Sequence, residues 1–194
     1  MTNSTWAPLP SVLSPSNGKP IRLVWNAALR DGPRPAIAGA DIRKREIHLH
    51  PSLRRQPSEH SRILTHELFH FVWVRLGNPR RAAWKQHLED ELAAHVKGEL
   101  GWSSQWRKTD LPRNFPNYAC EAFCDTAAWL FSACPEHEEY TLANKWRARR
   151  RAPRCSRPRP SAPLPTPQRR GAKNPKSRTQ RSPADGRTSA VLVA

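Results

Sequence analysis

The sequence of 194 residues is short of cysteine, of acidic residues and of long apolar runs. No apolar run approaches the roughly 20 residues that a membrane-spanning helix needs. The first 20 residues have neither the basic nor the apolar region of a secretory signal. The four cysteines are too few and too unevenly spaced for a disulfide framework, so we expect free thiols. Together these absences predict a soluble, cytoplasmic protein that does not enter a membrane.

Acidic residues are outnumbered, but the excess positive charge is confined to one part of the chain. The net charge is +17 in total. Residues 147–194 carry 14 Arg or Lys and a single acid, Asp185, which gives +13 and leaves only +4 for residues 1–146. The same part holds 8 of the 20 prolines and no aromatic residue. It therefore cannot bury enough apolar surface to offset the entropy of ordering it.

These differences divide the chain into three parts. Residues 1–20 are rich in Pro, Ser and Asn and are predicted to be a loose arm. Residues 21–151 are predicted to form one α+β domain, and residues 152–194 a disordered Arg/Pro-rich basic tail. Arginine clusters in the tail would attract phosphates without reading a base sequence, because no aromatic platform accompanies them. The tail is thus either a solvated segment or a non-specific contact with nucleic acid.

The pattern of apolar residues predicts a short antiparallel sheet and several helices. Residues 21–25 and 40–51 are typical of strands, and in the second Ile47 and Leu49 face one way while Glu46, His48 and His50 face the other. Segment 31–35, "DGPRP", is predicted to be a turn or loop. Helices are predicted at 58–76 with Ser58 as N-cap and Gly77 as stop, at 81–100, at 118–134 and within 138–151, with 101–117 as a mostly irregular connector.

The first predicted helix is apolar on every side, yet it contains three polar groups within "ILTHELFHFVWVRLG" (63–77). Apolar side chains all around the axis predict a buried helix. His66 and His70 lie one turn apart on one side, and Glu67 lies about a quarter-turn round from His66. An unpaired carboxylate in that setting would cost on the order of several kcal/mol. The sequence therefore calls for a partner that compensates this charge.

A zinc ion would provide that compensation. The HExxH pattern directs two imidazole nitrogens at one cation, while the intervening Glu67 reaches a water on the same metal. Chance produces the pattern roughly 0.02 times in a chain of this composition, which favours a functional motif over coincidence. Zinc lowers the pKa of its water and Glu67 would act as general base, so we expect metal-assisted hydrolysis, most simply of a peptide bond. The alternative is a pair of core histidines paired with other polar groups.

A catalytic zinc site needs a third protein ligand, and the third predicted helix offers one in "CEAFCD" (120–125). Glu121 and Asp125 are four residues apart and share a helix face. Glu121 would bind the metal. Asp125 would accept a hydrogen bond from the far nitrogen of a ligand histidine, the common arrangement around protein-bound zinc.

The pattern His66-Glu67-x-x-His70 followed by Glu121-x-x-x-Asp125 resembles that of gluzincin-type zinc metallopeptidases, and the small size is similar to their minimal bacterial forms. The resemblance covers about residues 40–131. It implies Zn²⁺ bound by His66, His70 and Glu121, with Glu67 as base and Asp125 as outer partner. It also implies a peptide or protein substrate that pairs with the edge of the strand before the HExxH helix, here "REIHLHP" (45–51).

The chain departs from this family in two respects. It is much smaller than typical gluzincin peptidases, and no residue is clearly placed to stabilise the oxyanion. Tyr118, His137 and Tyr140 are the candidates for that role. Trp102 and Trp106, in the connector between two site helices, are predicted to border a substrate groove.

Cys120 and Cys124 support an alternative, because their stripe adjoins that of Glu121 on the same helix. Together with His66 and His70 they would make a closed structural His2Cys2 zinc site without catalysis. The chain would then be a non-catalytic protein whose basic tail associates with nucleic acid. Burial of both thiols as small apolar groups is a further interpretation.

Overall fold

The computed structural model describes residues 20–111, 113–151 and 190–193. The predicted α+β class is confirmed, and none of the described helices is long and apolar enough to cross a bilayer. A short 3-10 segment, Pro51–Arg55, precedes the first helix. The elements follow in the order β1 (Arg22–Trp25), β2 (Arg30–Asp31), β3 (Arg34–Asp41), β4 (Glu46–Leu49), α1 (Pro57–Arg75), α2 (Asn78–Ala93), α3 (Trp102–Lys108), α4 (Phe115–Phe131), α5 (Asn144–Arg151) and β5 (Ala190–Val193).

The strands form one small sheet in the order β1-β4-β3-β2, with β5 also paired to β3. β3 and β4 are antiparallel, with Ala38 opposite Leu49. β1 lies on the other edge of β4 and runs parallel to it, with Leu23 opposite Ile47. The sheet is therefore mixed rather than wholly antiparallel, because the chain crosses from β1 to β2 before it forms the β3–β4 hairpin. Ile47 and Leu49 are fully buried, as expected for the apolar face.

β3 corrects the prediction of a turn or loop over residues 31–35. Arg34 and Pro35 already belong to this strand, and Gly32, with φ 58°, makes the turn that precedes it. Ala38 and Ala40 belong to the same apolar cluster as Ile63 and Phe71 of α1. Alanine has a low strand propensity, but here the small side chains let the sheet lie close to the helix.

The helix boundaries also differ from the prediction. α1 begins at Pro57 rather than after a Ser58 cap, because proline suits the first helical position. Gly77 directly precedes α2, which ends at Ala93 instead of residue 100. The connector predicted over 101–117 contains α3, and α4 spans 115–131 rather than 118–134. The final basic segment is helical from Asn144, as α5.

A network of buried charged side chains fastens α5 to the rest of the domain, and we call it the Arg150 network. Arg150 Nη2 lies 2.7 Å from Glu91 Oε2 and 2.8 Å from Glu99 Oε2. The other oxygen of Glu99 lies 2.8 Å from Lys108 Nζ and accepts a hydrogen bond from the Tyr118 hydroxyl at 2.7 Å. Each acid of the network thus faces an arginine or a lysine.

Two parts of the predicted organisation lie largely outside the described residues. These are the N-terminal arm, of which residues 1–19 are not described, and residues 152–189 and 194 of the basic tail. Four residues of the predicted tail, Ala190–Val193, form β5 on β3. The proposed contact of the tail with nucleic acid stays a prediction.

Candidate metal centre

Two packed helices bring the three predicted zinc ligands together. His66 and His70 of α1 and Glu121 of α4 are each at most 5% exposed. The two Nε2 atoms are 3.2 Å apart, and Glu121 Oε2 lies 3.2 Å from the first and 3.8 Å from the second. Three atoms with these separations share a point about 2 Å from each, which matches zinc bonds of roughly 2.0–2.2 Å. The arrangement fits a metal ion without movement of either helix.

Glu67 lies beside this point as a carboxylate that the protein itself does not satisfy. It is fully buried, and among the described residues neither of its oxygens has a hydrogen-bond partner. Burial raises its pKa to about 7, with Glu121 and Asp125 adding to the rise and the two histidines opposing it. A metal with a bound water is the kind of partner that would satisfy such a group.

Asp125 holds the His66 ring from behind. Its Oδ1 lies 2.8 Å from His66 Nδ1, and its Oδ2 accepts a hydrogen bond from the Ser104 N–H at 3.0 Å. Burial alone would raise the Asp125 pKa, but His66 and Ser104 together lower it. Burial would lower the His66 pKa, yet Asp125 raises it well above its ordinary value. With Nδ1 held in this way, Nε2 is directed at the metal point.

Cys120 contacts the Nδ1 side of the His70 ring, as Asp125 contacts the Nδ1 side of the His66 ring. Its sulfur lies 3.5 Å from His70 Nδ1. The Cys120 pKa is lowered to about 6, mainly by a hydrogen bond from Cys124 and also by His70, against the opposing effect of burial. Because Cys120 contacts Nδ1 rather than Nε2, it lies behind the ring and not at the metal point. The closed His2Cys2 site considered from the sequence does not fit this placement.

Cys124 is nearer to the metal point than Cys120. Its sulfur and one ring nitrogen from each of His66 and His70 all lie within 4.8 Å of one another. Burial is the largest cause that raises the Cys124 pKa well above its ordinary value. Glu121 Oε2, at 3.2 and 3.8 Å from the two Nε2 atoms, is placed to share a metal with them at about 2 Å, so Glu121 is the better-placed third ligand. Cys120, Cys124 and Cys134 are all free thiols.

Gly101 and Ser104 complete the support of Asp125, and the sequence did not reveal either role. A Cβ at Gly101 would overlap the Asp125 carboxylate. The missing side chain therefore lets the start of α3 approach α4 closely enough for the Ser104 N–H to reach Asp125. The only sequence signal for this close approach was the glycine in "GWSS" (101–104). A glycine alone does not indicate which residue will pack against it.

The three candidates for oxyanion stabilisation have their polar atoms on other groups. The Tyr118 hydroxyl donates to Glu99, and the Tyr140 hydroxyl donates to the Cys134 carbonyl at 3.2 Å. His137 Nε2 lies 3.2 Å from Glu59. A role for any of them at the metal would require these contacts to change, so the assignment stays a prediction.

In a second group of three potential metal ligands, the protein itself supplies the positive charge that compensates the acids. Glu59, His137 and Glu139 also offer ligand atoms within 4.8 Å of one another. Arg62, which is 2% exposed, lies 2.5 Å from Glu59 and 2.7 Å from Glu139. The arginine thus already supplies the positive charge that a metal would bring.

β3 and α3 meet in one contact and also contribute to one cavity, which is lined mainly by the start of α1 and by residues 134–139. The guanidinium carbon of Arg34 lies 4.7 Å from the centre of the Trp106 ring, and Ile37 and Trp102 line this cavity of about 500 Å³. Trp102 and Trp106 are 48% and 43% exposed. Trp102 thus lines a cavity, whereas Trp106 is not among the lining residues of this cavity and packs under Arg34 instead. The strand expected to offer an edge, β4, does not do so, because β1 and β3 occupy both of its edges.

Comparison with protein-family models, curated proteins and solved structures finds no match for this chain. Any functional assignment therefore rests on the residues of the site and on their geometry.

Proposed function

We propose that the chain is a zinc-dependent hydrolase, most simply a small metallopeptidase, with His66, His70 and Glu121 as zinc ligands. One observation carries the proposal: three buried donor atoms share a point about 2 Å from each. Beside them, the Glu67 carboxylate is buried without a hydrogen-bond partner among the described residues. A protein gains nothing in stability from such a carboxylate unless a ligand satisfies it.

When bound, zinc would supply a Lewis acid that polarises a carbonyl and lowers the pKa of a water to about 7. Glu67 would accept the proton of that water on one carboxylate oxygen. Glu67 suits this task by position, because its carboxylate lies beside the metal point with both oxygens free of hydrogen-bond partners among the described residues. Glu67 would then deliver the proton to the leaving amine of a peptide.

Asp125 and Cys120 would orient the two histidines throughout. Each contacts the Nδ1 atom of one ring, at 2.8 Å for His66 and 3.5 Å for His70. Each therefore leaves an Nε2 lone pair for the ion, and a ring held at its far nitrogen binds metal more tightly.

The substrate would lie along β3, next to the cavity that Ile37 and Trp102 help to line. Ile63 and Phe71 pack against β3, and Glu67 is one helical turn from each, so Glu67 lies on the face of α1 towards β3. An extended peptide paired with the outer edge of β3 would pass this face. We propose a peptide or an unfolded protein segment as substrate and the cytoplasm as location, in keeping with the free thiols.

A non-catalytic zinc protein is the second candidate, and the nearness of Cys124 to both histidines favours it. In that case His66, His70, Cys124 and Glu121 would fill all four positions around the metal. Glu67 would then have no function, which is the main argument against a closed site.

Replacement of Glu67 by Gln separates the two candidates. We expect the Glu67→Gln chain to retain one zinc per chain by mass spectrometry and to lose about 10²–10⁴-fold in hydrolysis of fluorescently labelled, unfolded casein. Glu89→Gln, at an exposed position of α2, is the matched control and should retain full activity. Zinc-loaded wild-type protein that cleaves neither casein nor a fluorogenic peptide library would contradict the peptidase proposal.

A further inference from the structure

We propose that the outer edge of β3 is the binding surface for extended peptides, and that residues 190–193 of this chain compete with other peptides for it. The inference rests on the proposed function in one respect, because the peptide that β5 would exclude from the β3 edge is the proposed substrate. The pairing itself does not depend on catalysis.

β5 covers the part of β3 that other strands leave open. The inner edge of β3 pairs with β4 over Ala38–Asp41. On the outer edge, β2 pairs only with Arg34 and Pro35. β5 takes the next stretch, with Val193 opposite Ala36 and Ala190 opposite Ala40. Among the described strands, β5 alone pairs with this part of the outer edge.

This part of β3 lies beside the candidate metal centre. Ala38 and Ala40 pack with Ile63 and Phe71, which lie one turn before and one turn after Glu67 on α1. Ile37, between the paired residues of β3, lines the cavity that Trp102 borders. A strand on this edge therefore occupies the path that an extended substrate would follow.

The sequence of β5 is suited to pairing and differs from its surroundings. "AVLV" (190–193) is uncharged, and two of its four residues are β-branched, whereas residues 152–189 are rich in Arg, Pro and Ser. Because β5 belongs to the same chain as β3, its pairing with the edge is intramolecular and does not depend on the concentration of the chain. A free peptide must therefore compete with a strand that is always nearby.

A binding experiment tests the competition without any need for hydrolysis. A fluorescein-labelled peptide of residues 186–194 is titrated with the full chain and with a chain shortened after Ser189, by fluorescence anisotropy. We expect the shortened chain to bind the peptide at least about ten-fold more tightly, because its β3 edge is free.

The matched control is the same peptide with Val191→Pro and Leu192→Pro. Neighbouring residues of an antiparallel strand donate their N–H groups to opposite sides, so one of the two residues donates towards β3. Because proline has no N–H group, the double substitution removes that donor whichever of the two residues provides it. The proline peptide should bind the shortened chain at least about ten-fold more weakly than the unmodified peptide. Equal affinities of the full and shortened chains, or equal binding of the two peptides, would overturn the inference.

Hydrolysis separates this inference from the proposed function. If the zinc-loaded chains cleave casein, the shortened chain should show a KM about ten-fold lower and a kcat within about two-fold. Equal KM values for the two chains would count against competition at the substrate site. Absence of cleavage by both chains would contradict the hydrolase proposal, whereas the peptide titration would still decide whether β5 and free peptides share the edge.

Discussion

The Arg150 network and the candidate metal centre are both buried clusters of acids, but their charges are compensated in different ways. In the network, Glu91 and Glu99 face Arg150 and Lys108 at 2.7–2.8 Å. In the metal centre, the basic partners of Glu121 and Asp125 among the described residues are His66 and His70. Glu67 has no hydrogen-bond partner there.

The comparison shows how a structural cluster can be distinguished from a site for a ligand. Burial of an acid is unfavourable unless a cation and hydrogen bonds compensate it. The Arg150 network brings its own cations and is complete. Three acids with two histidines, which are neutral when they bind a metal, leave a negative charge that a divalent cation would offset.

Arg150→Met should have the largest effect, because it leaves the buried Glu91 without its arginine and Glu99 with Lys108 as its only remaining cation in the network. We expect a loss of about 3–5 kcal/mol in the free energy of unfolding, measured by urea denaturation followed by tryptophan fluorescence. Arg149→Met, which removes the exposed neighbour on α5, should change it by less than about 0.5 kcal/mol. A loss for Arg150→Met as small as that of the control would mean that the network does not depend on Arg150.

Zinc should stabilise the folded chain, because the metal centre is completed only by a cation. At a free concentration of 100 times its Kd, zinc should raise the free energy of unfolding by about 2.7 kcal/mol, and a chelator should reverse the gain. Magnesium should have little effect, since it prefers oxygen ligands over imidazole. The same gain should appear in Arg150→Met, because the two clusters have no ligand in common. No stabilisation by zinc would contradict the metal site.

Asp125→Asn should weaken zinc binding by about 10–100-fold, because the His66 ring loses its anionic partner. Cys120→Ala should weaken it by less than about ten-fold, since a thiol is a weaker partner of Nδ1 than a carboxylate. Both affinities can be measured by competition with a chromophoric chelator. Asp110→Asn, at an exposed position, is the control. Equal losses in Cys120→Ala and Asp110→Asn would exclude a positioning role for Cys120.

The two clusters should give zinc-free protein opposite responses to pH. The pKa of Glu91 is lowered in the folded state, because His87 and Arg150 outweigh the effect of burial. Its contribution to stability is therefore present above pH 4.5 and is lost as the pH falls through the folded pKa. The pKa of Glu67 is raised to about 7, so its carboxylate destabilises the fold increasingly between pH 4.5 and 7.

Unfolding of the zinc-free chain at several pH values measures both effects, with slopes of at most about 1.4 kcal/mol per pH unit for each group. In Glu67→Gln the decline in stability between pH 4.5 and 7 should be smaller than in the wild type. In Glu91→Gln the loss on acidification below pH 4.5 should be smaller. A pH profile of Glu67→Gln identical to that of the wild type would contradict the raised pKa.

The sequence predicted those features that depend on one helix at a time. The apolar surround of α1 and the four-residue spacings of His66–His70 and Glu121–Asp125 follow from helix geometry alone. The contact between Asp125 and a ligand histidine was also anticipated, and the 2.8 Å distance to His66 agrees with it. Which cysteine approaches which histidine atom depends on how α1 and α4 pack, and no spacing contains that information.

The sequence did not reveal features that depend on packing between distant segments. β3 was missed because alanine, glycine and proline are poor strand formers, and only contact with α1 makes "RPAIAGAD" (34–41) a strand. The Arg150 network joins residues 59 positions apart, between α2 and α5. α5 was predicted as a basic helix, but one of its arginines is buried because two acids from the preceding part of the chain surround it.

The bare Cα of Gly101 makes the metal centre sensitive to a position that has no functional group of its own. One added methyl group would collide with the Asp125 carboxylate and push it out of line with His66. A mutational survey of this chain would then record a severe loss of zinc affinity at a buried glycine that directly precedes α3, a position that a list of metal ligands would omit. The tolerance of the candidate metal centre to substitution therefore depends in part on the absence of a side chain at Gly101.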